Sequence, residues 1–184
     1  MKRTLIAIVA AMLAVTSVVS LAGCGGNNDK KESTAEASAQ ENNNGALADA
    51  DTTATIKDVK VELNGDGAAA IQALGTDYTY SAQTSCHANS GEDKTYAYQG
   101  FTVNTYPNDG KESVLEVIVT SGDYATSKGV KVGDKLAAVT AAYGDKYRTI
   151  GQKFYVYENE DGKKQIRFSI ENDTVTQIDY YYNV

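Results

Sequence analysis

Across the second two thirds of this chain, apolar residues return at every second position. Val59, Val61 and Leu63 alternate with polar neighbours, as do Phe101 and Val103. The pattern recurs in Leu115, Val117 and Val119, in Ile166, Phe168 and Ile170, and in Ile178, Tyr180 and Tyr182. A pleated strand sends successive side chains to opposite faces, so this period means one buried face and one wet face, the mark of antiparallel sheet. Asp109-Gly110, Asp161-Gly162 and Asn172-Asp173 sit between such runs. These residue types tolerate the positive φ that tight hairpins require. The single proline, Pro107, lies beside one of these turns.

Two short helices interrupt the strands. Asp66 is placed to cap 67–74, with Ala68, Ile71 and Leu74 inward and Gly75 as the stop. Asp134 is placed to cap 135–143, with Leu136, Val139 and Tyr143 inward and Gly144 as the stop. The two segments also match each other. Gly65-Asp66, Ala69-Ala70 and Ala73 face Gly133-Asp134, Ala137-Ala138 and Ala141 at a constant offset of 68 residues, and one residue of slippage then aligns Gly75 and Tyr78 with Gly144 and Tyr147. Phe101-Thr102-Val103 falls against Phe154-Tyr155-Val156, and Leu115, Val117 and Val119 against Ile166, Phe168 and Ile170. The expected fold is therefore α+β: an antiparallel sheet with two short helices on one face, built as a tandem duplication of a helix-then-β-meander unit. Copy one runs over about 56–126 and copy two over about 127–184. In this alignment 79–100 is an excursion of copy one, because copy two has only 148–153 in its place.

The N-terminus reads as an address. Lys2 and Arg3 precede an almost purely apolar run, which closes on Leu21-Ala22-Gly23-Cys24. A basic start, an apolar stretch and small residues at the cut form a secretory signal. The last four residues resemble the lipobox of bacterial lipoproteins, in which the cysteine thiol accepts diacylglycerol. That resemblance implies a signal peptide over 1–23, lipidation at Cys24, and residence on the outer side of a bacterial cell membrane. Stable anchoring takes two acyl chains, one being marginal. From 24 to 55 the chain is rich in Asn, Ser, Thr, Ala and Glu, with Leu47 its only large apolar residue, and it reads as a disordered linker. The remainder, 56–184, is the length of one domain with one core.

Charge narrows the partners. Removing Lys2 and Arg3 from 17 basic and 24 acidic residues leaves a net charge of −9. Nucleic acid needs a basic face, and anionic headgroups would repel such a protein, so the lipid on Cys24 is its membrane contact. With Cys24 lipidated, Cys86 is left without an intrachain partner, and no disulfide framework is expected.

A wider resemblance rests on short motifs. Val130-Lys131-Val132-Gly133-Asp134 with Val139 and Tyr143-Gly144 resembles the "G-I-x-I-G-D … V … Y-G" segment of small bacterial envelope lipoproteins. Gly91-Glu92-Asp93-Lys94-Thr95-Tyr96, with the stretch from Phe101-Thr102-Val103 to Tyr106-Pro107, resembles uncharacterised lipoproteins of Gram-positive type. The duplicated helix-then-meander unit is similar to the beta-lactamase-inhibitor-protein fold, shared with small outer-membrane assembly lipoproteins. The resemblance implies a fold and a binding role through protein surfaces, without catalytic residues.

Signals for catalysis are weak. Cys86 precedes His87, the one histidine, but neighbours in extended chain point to opposite faces, which a nucleophile dyad does not allow. One Cys and one His also fall short of a zinc ligand set. A small buried thiol pinning its loop is the expected role of Cys86. The acidic stretch Glu158-Asn159-Glu160-Asp161-Gly162 lacks the alternating ligands of a calcium loop and reads as a hairpin turn. No G-x-S-x-G elbow or phosphate-binding glycine loop occurs. No enzyme activity, metal or cofactor is expected. A small-ligand or glycan-binding lipoprotein is the alternative, and a hydrolase a distant one.

The 13 tyrosines are the better clue. If Phe154 and Val156 face the core, Tyr155 and Tyr157 face away, and the same parity sends Tyr106 and Tyr181 outward. Tyrosine offers large contact area at low entropy cost, which suits recognition. These four are the expected binding face, with another envelope protein as partner.

Overall fold

The computed structural model describes residues 47–88 and 90–184. The expected signal peptide at 1–23, Cys24 and the first part of the expected linker lie outside the described residues. Among those described, no helix is long and apolar enough to cross a membrane.

A 3-10 turn (Asp49–Thr52) leads into a hairpin of β1 (Thr53–Ile56) and β2 (Val59–Glu62). Helix α1 (Gly67–Leu74) follows, then a meander of β3 (Thr79–Thr84), β4 (Glu92–Tyr98), β5 (Phe101–Asn108) and β6 (Lys111–Val119). A loop leads to helix α2 (Leu136–Tyr143) and a second meander, β7 (Arg148–Ile150), β8 (Phe154–Glu158), β9 (Lys164–Glu171) and β10 (Thr174–Tyr182). The two meanders join into one eight-stranded antiparallel sheet in the order β3-β4-β5-β6-β10-β9-β8-β7. The seam is β6 against β10, from Ile178 opposite Val119 to Tyr181 opposite Glu116. The architecture is α+β, mostly β.

One face of this sheet carries the core. Val103, Val117, Val119, Ile166, Phe168, Ile178 and Tyr180 are buried there with Ile71 and Leu74 of α1 and Val139 and Tyr143 of α2. Ala54, Ile56, Val61 and Leu63 of the first hairpin join the same cluster. Each helix has eight residues, too short to persist alone, so burial against the sheet holds it. Asp66 caps α1 by accepting from the Ala69 N–H at 2.9 Å. Gly75 and Gly144 end the helices at φ of 88° and 84°, a region where only glycine sits without strain. The expected turns hold: Asp109, Gly110, Gly162, Asn172 and Asp173 all take positive φ. Pro107 is tolerated because pairing of β5 with β4 stops at Thr105.

Several expectations need correction. The linker does not extend to Thr55, since Thr52 and Ala54 are 1% and 0% exposed and β1 pairs with β2. Small and hydroxyl side chains there resemble a linker in composition, yet alternate as a strand. The segment 79–100 is no excursion, because β3 and β4 are regular members of the sheet. The strand alignment is thus displaced by one: the turn at Asn172-Asp173, not Asp161-Gly162, occupies the place in the second meander that Asp109-Gly110 has in the first. Asp134 does not cap α2; its carboxylate accepts from the Lys131 N–H, and Lys135 holds the N-cap position. Ala68 is exposed, and Ala70 takes the inward place. Leu115 leaves the Val117–Val119 face because it is an extra residue between the partners of Asn104 and Thr105, a β-bulge.

Candidate functional site

The helices and the first hairpin share the core face, and among the described residues no such layer lies on the opposite, uncovered face of the sheet. The pairing registers set its side chains in rows. One row runs Asn104, Glu116, Tyr181, Gln165 and Glu158 across β5, β6, β10, β9 and β8. The next runs Thr102, Ile118, Asp179, Arg167 and Val156 across the same strands.

At the centre the Arg167 guanidinium lies 3.7 Å from the centroid of the Tyr181 ring. Its Nε and Nη2 donate to Gln165 Oε1 at 3.0 and 2.9 Å. Gln165 is 4% exposed, and its Nε2 donates to Glu158 Oε2 and to the Gly162 carbonyl, each at 3.3 Å. The fork and the ring are therefore held in place before any partner arrives, with two of five guanidinium donors engaged by Gln165. Beside them Asn104 donates to Glu116 at 2.8 Å and Gln177 to Asp179 at 2.7 Å. Asp179 is buried, and that burial pushes its carboxyl up to about 6; Glu116 adds to the rise, while Gln177 and Arg167 oppose it.

The four expected tyrosines separate. Tyr181 lies on this uncovered face. Tyr155 and Tyr157 lie on the core face, opposite Phe168 and Ile166. Tyr157 is 4% exposed and donates to the Gly144 carbonyl at 2.8 Å, and Tyr155 packs on Tyr147 at 4.8 Å. Parity alone misplaces them because Phe154 and Val156, apolar as they are, pair with Ser169 and Arg167 on the uncovered face. A buried tyrosine needs a partner for its hydroxyl, and the carbonyl ending α2 provides one. In β4 the same arrangement holds: Tyr98 donates to the Gly75 carbonyl at 3.1 Å. Tyr106 is buried at the end of the sheet, where its hydroxyl donates to Asn64 Oδ1 at 2.7 Å. Arg167, Gln165 and Asp179 went unrecognised, although each alternates with the apolar residues Ile166, Phe168, Ile178 and Tyr180.

A second concavity lies where the turn after β3, the β5–β6 hairpin, Lys163 and the C-terminus converge. This open cleft of about 1010 Å³ is lined in part by His87, Tyr106, Asn108, Lys163, Tyr182 and Val184. His87 Nδ1 sits 3.0 Å from Asp93 Oδ2, and the Cys86 N–H donates to the same oxygen at 3.3 Å. Burial would raise the Asp93 carboxyl, but hydrogen bonds from Ser85, His87 and the Cys86 amide outweigh it and hold the group below its ordinary value. Cys86 itself is exposed, so it is not the buried pin expected. Deeper in, Glu112 accepts from Lys94 at 2.7 Å, Thr105 at 2.8 Å and Tyr96 at 2.9 Å. Among the described residues no three His, Cys, Asp or Glu side chains are grouped to hold a metal ion.

No protein-family model and no curated protein sequence matches this chain. Among solved structures, the uncharacterised protein yfeY from Escherichia coli aligns with 14% sequence identity over 66% of this chain and 92% of its own, at a TM-score of 0.41.

Proposed function

We propose that this chain is a lipid-anchored, non-catalytic binding module of a bacterial cell envelope that engages another envelope protein through the uncovered face of its sheet. The observation carrying the reading is the Arg167–Tyr181 stack held by Gln165. Arginine and tyrosine dominate binding hot spots, and side chains fixed beforehand lose less entropy on docking. The test is capture from envelope extract by the full chain, against Tyr181→Ser. Partner affinity is expected to fall at least about tenfold with melting temperature nearly unchanged. Equal capture by both proteins moves the contact elsewhere.

Anchoring rests on Lys2, Arg3, the apolar run and Leu21-Ala22-Gly23-Cys24. Cys24→Ser is expected to abolish incorporation of labelled fatty acid; continued labelling refutes the assignment.

The tandem duplication belongs to the same proposal, as does likeness to the beta-lactamase-inhibitor-protein fold. Three parallels support it once the strands are aligned in order. Gly75 and Gly144 each accept a tyrosine hydroxyl from the second strand of the following meander. Val114 bonds the Asn64 N–H and the Gly65 carbonyl just before α1, as Val175 bonds the Gly133 N–H and the Asp134 carbonyl just before α2. The residue after each valine, Leu115 or Thr176, is the bulge of its strand.

A second reading, a small-ligand or glycan site, draws on the cleft, whose volume lies at the top of the usual range of about 300–1,000 Å³. Saturable shifts of the His87 ring resonances on titration with glycans, absent in Tyr182→Ala, are its expected signature.

A further inference from the structure

The sheet has two outer edges, and they are treated differently. β7 is three residues long, Arg148 opens it, and Lys146 and Lys153 flank it. Short length and positive charge are ordinary protections of a strand edge. β3 has neither. Its six residues, TYSAQT, carry no charge and no proline, all are exposed, and the pairing with β4 runs from Thr79 opposite Ala97 to Thr84 opposite Glu92 without a bulge. Nothing among the described residues pairs with its outer side. Such a strand presents a row of backbone donors and acceptors to the next strand that arrives.

We infer that β3 is a dimerisation edge: two copies of this chain pair β3 to β3, antiparallel, about a two-fold axis through Ser81, extending both sheets into one. Symmetry and pleat put the axis through a residue and not between two, because residues directly opposite must lie on the same face and the strands are identical; of the residues of β3, Ser81 is the one that seats Tyr80 over Ala82. Ser81 meets Ser81 of the second copy. Tyr80 then meets Ala82, so the largest side chain of the strand stands over the smallest, and Thr79 meets Gln83. Tyr80 is 54% exposed, with its ring 5.4 Å from Tyr96, and the second copy's Ala82 and diagonal Tyr80 cover its open side. Charge favours the same occupant. The chain carries a net −7, which would drive copies apart over most of its surface, but this strand is neutral. A cationic, three-residue β7 is a poor mate for β3, so pairing closes as a dimer instead of growing as a filament.

The experiment uses the full chain in mild detergent. Sedimentation equilibrium is expected to give twice the monomer mass at high concentration, reverting to monomer on dilution. Ser81→Lys sets two like charges on the axis and is expected to weaken association at least about tenfold without lowering the melting temperature of the dilute monomer. In a Cys24→Ser/Cys86→Ser background, Ser81→Cys is expected to form an intermolecular disulfide, since opposed residues of an antiparallel pair lie within bridging distance. Gln83→Cys should not. A chain that is monomeric at every concentration, a dimer indifferent to Ser81→Lys, or crosslinking through Gln83→Cys as readily as Ser81→Cys each overturns the inference.

Discussion

Asp179 sits at the middle of the uncovered face with its carboxyl buried and pushed up to about 6. A carboxyl whose folded pKa exceeds its ordinary 3.8 contributes stability fully below 3.8 and loses it as pH rises through about 6. Asp179→Asn is therefore expected to match the native chain near pH 3.5 and to exceed it above pH 6, by on the order of 2–3 kcal/mol. Chemical denaturation across that range measures the difference, and a difference that stays flat with pH refutes the account. The tyrosines give a second contrast. Tyr157→Ser removes a core ring and leaves the Gly144 carbonyl unpartnered, costing about 3–5 kcal/mol, whereas Tyr181→Ser should stay within about 1 kcal/mol. At this scale the sequence was least legible. Alternation told that Tyr155 and Tyr157 lie opposite Phe154 and Val156, but not which pair faces the helices. That choice turns on a carbonyl at the end of α2, far from β8 in the chain.

Among the elements, the strands with clean apolar alternation could be read directly: β2, β5, β6, β9 and β10, with both helices and their glycine stops. Those missed share a cause. β1 hides its buried position in Ala54, and β3 lies exposed along its whole length, so neither advertises a core face. β4 alternates Tyr96 and Tyr98 with Thr95 and Ala97, where both classes suit a strand. The position of β1 has a measurable consequence. A chain beginning at Leu47 should unfold cooperatively, and one beginning at Ile56 should melt on the order of 10 °C lower, having lost the buried Thr52 and Ala54 and the Asp51 contacts to Ser127 and Lys128. Equal melting temperatures would restore the longer linker.

For the molecule as a whole, the two meanders meet at the β6–β10 seam, with the first hairpin sharing the buried cluster beneath both. The antiparallel α+β class was legible because hairpin turns and alternation are local. The seam was not, since nothing in β6 announces a partner some sixty residues later. Of the described strands, the one at the centre of the sheet is also the last in chain order. A chain that folds from its N-terminal end onward therefore holds β6 and β9 before the strand that separates them. Each then exposes an apolar ladder, Val117 and Val119 on one, Ile166 and Phe168 on the other. A chain ending at Asp173 is expected to aggregate, as followed by sedimentation of the truncated protein beside the full chain. Loss of β10 should accordingly be as damaging as loss of a strand far upstream, because it removes the middle of the sheet and not its margin.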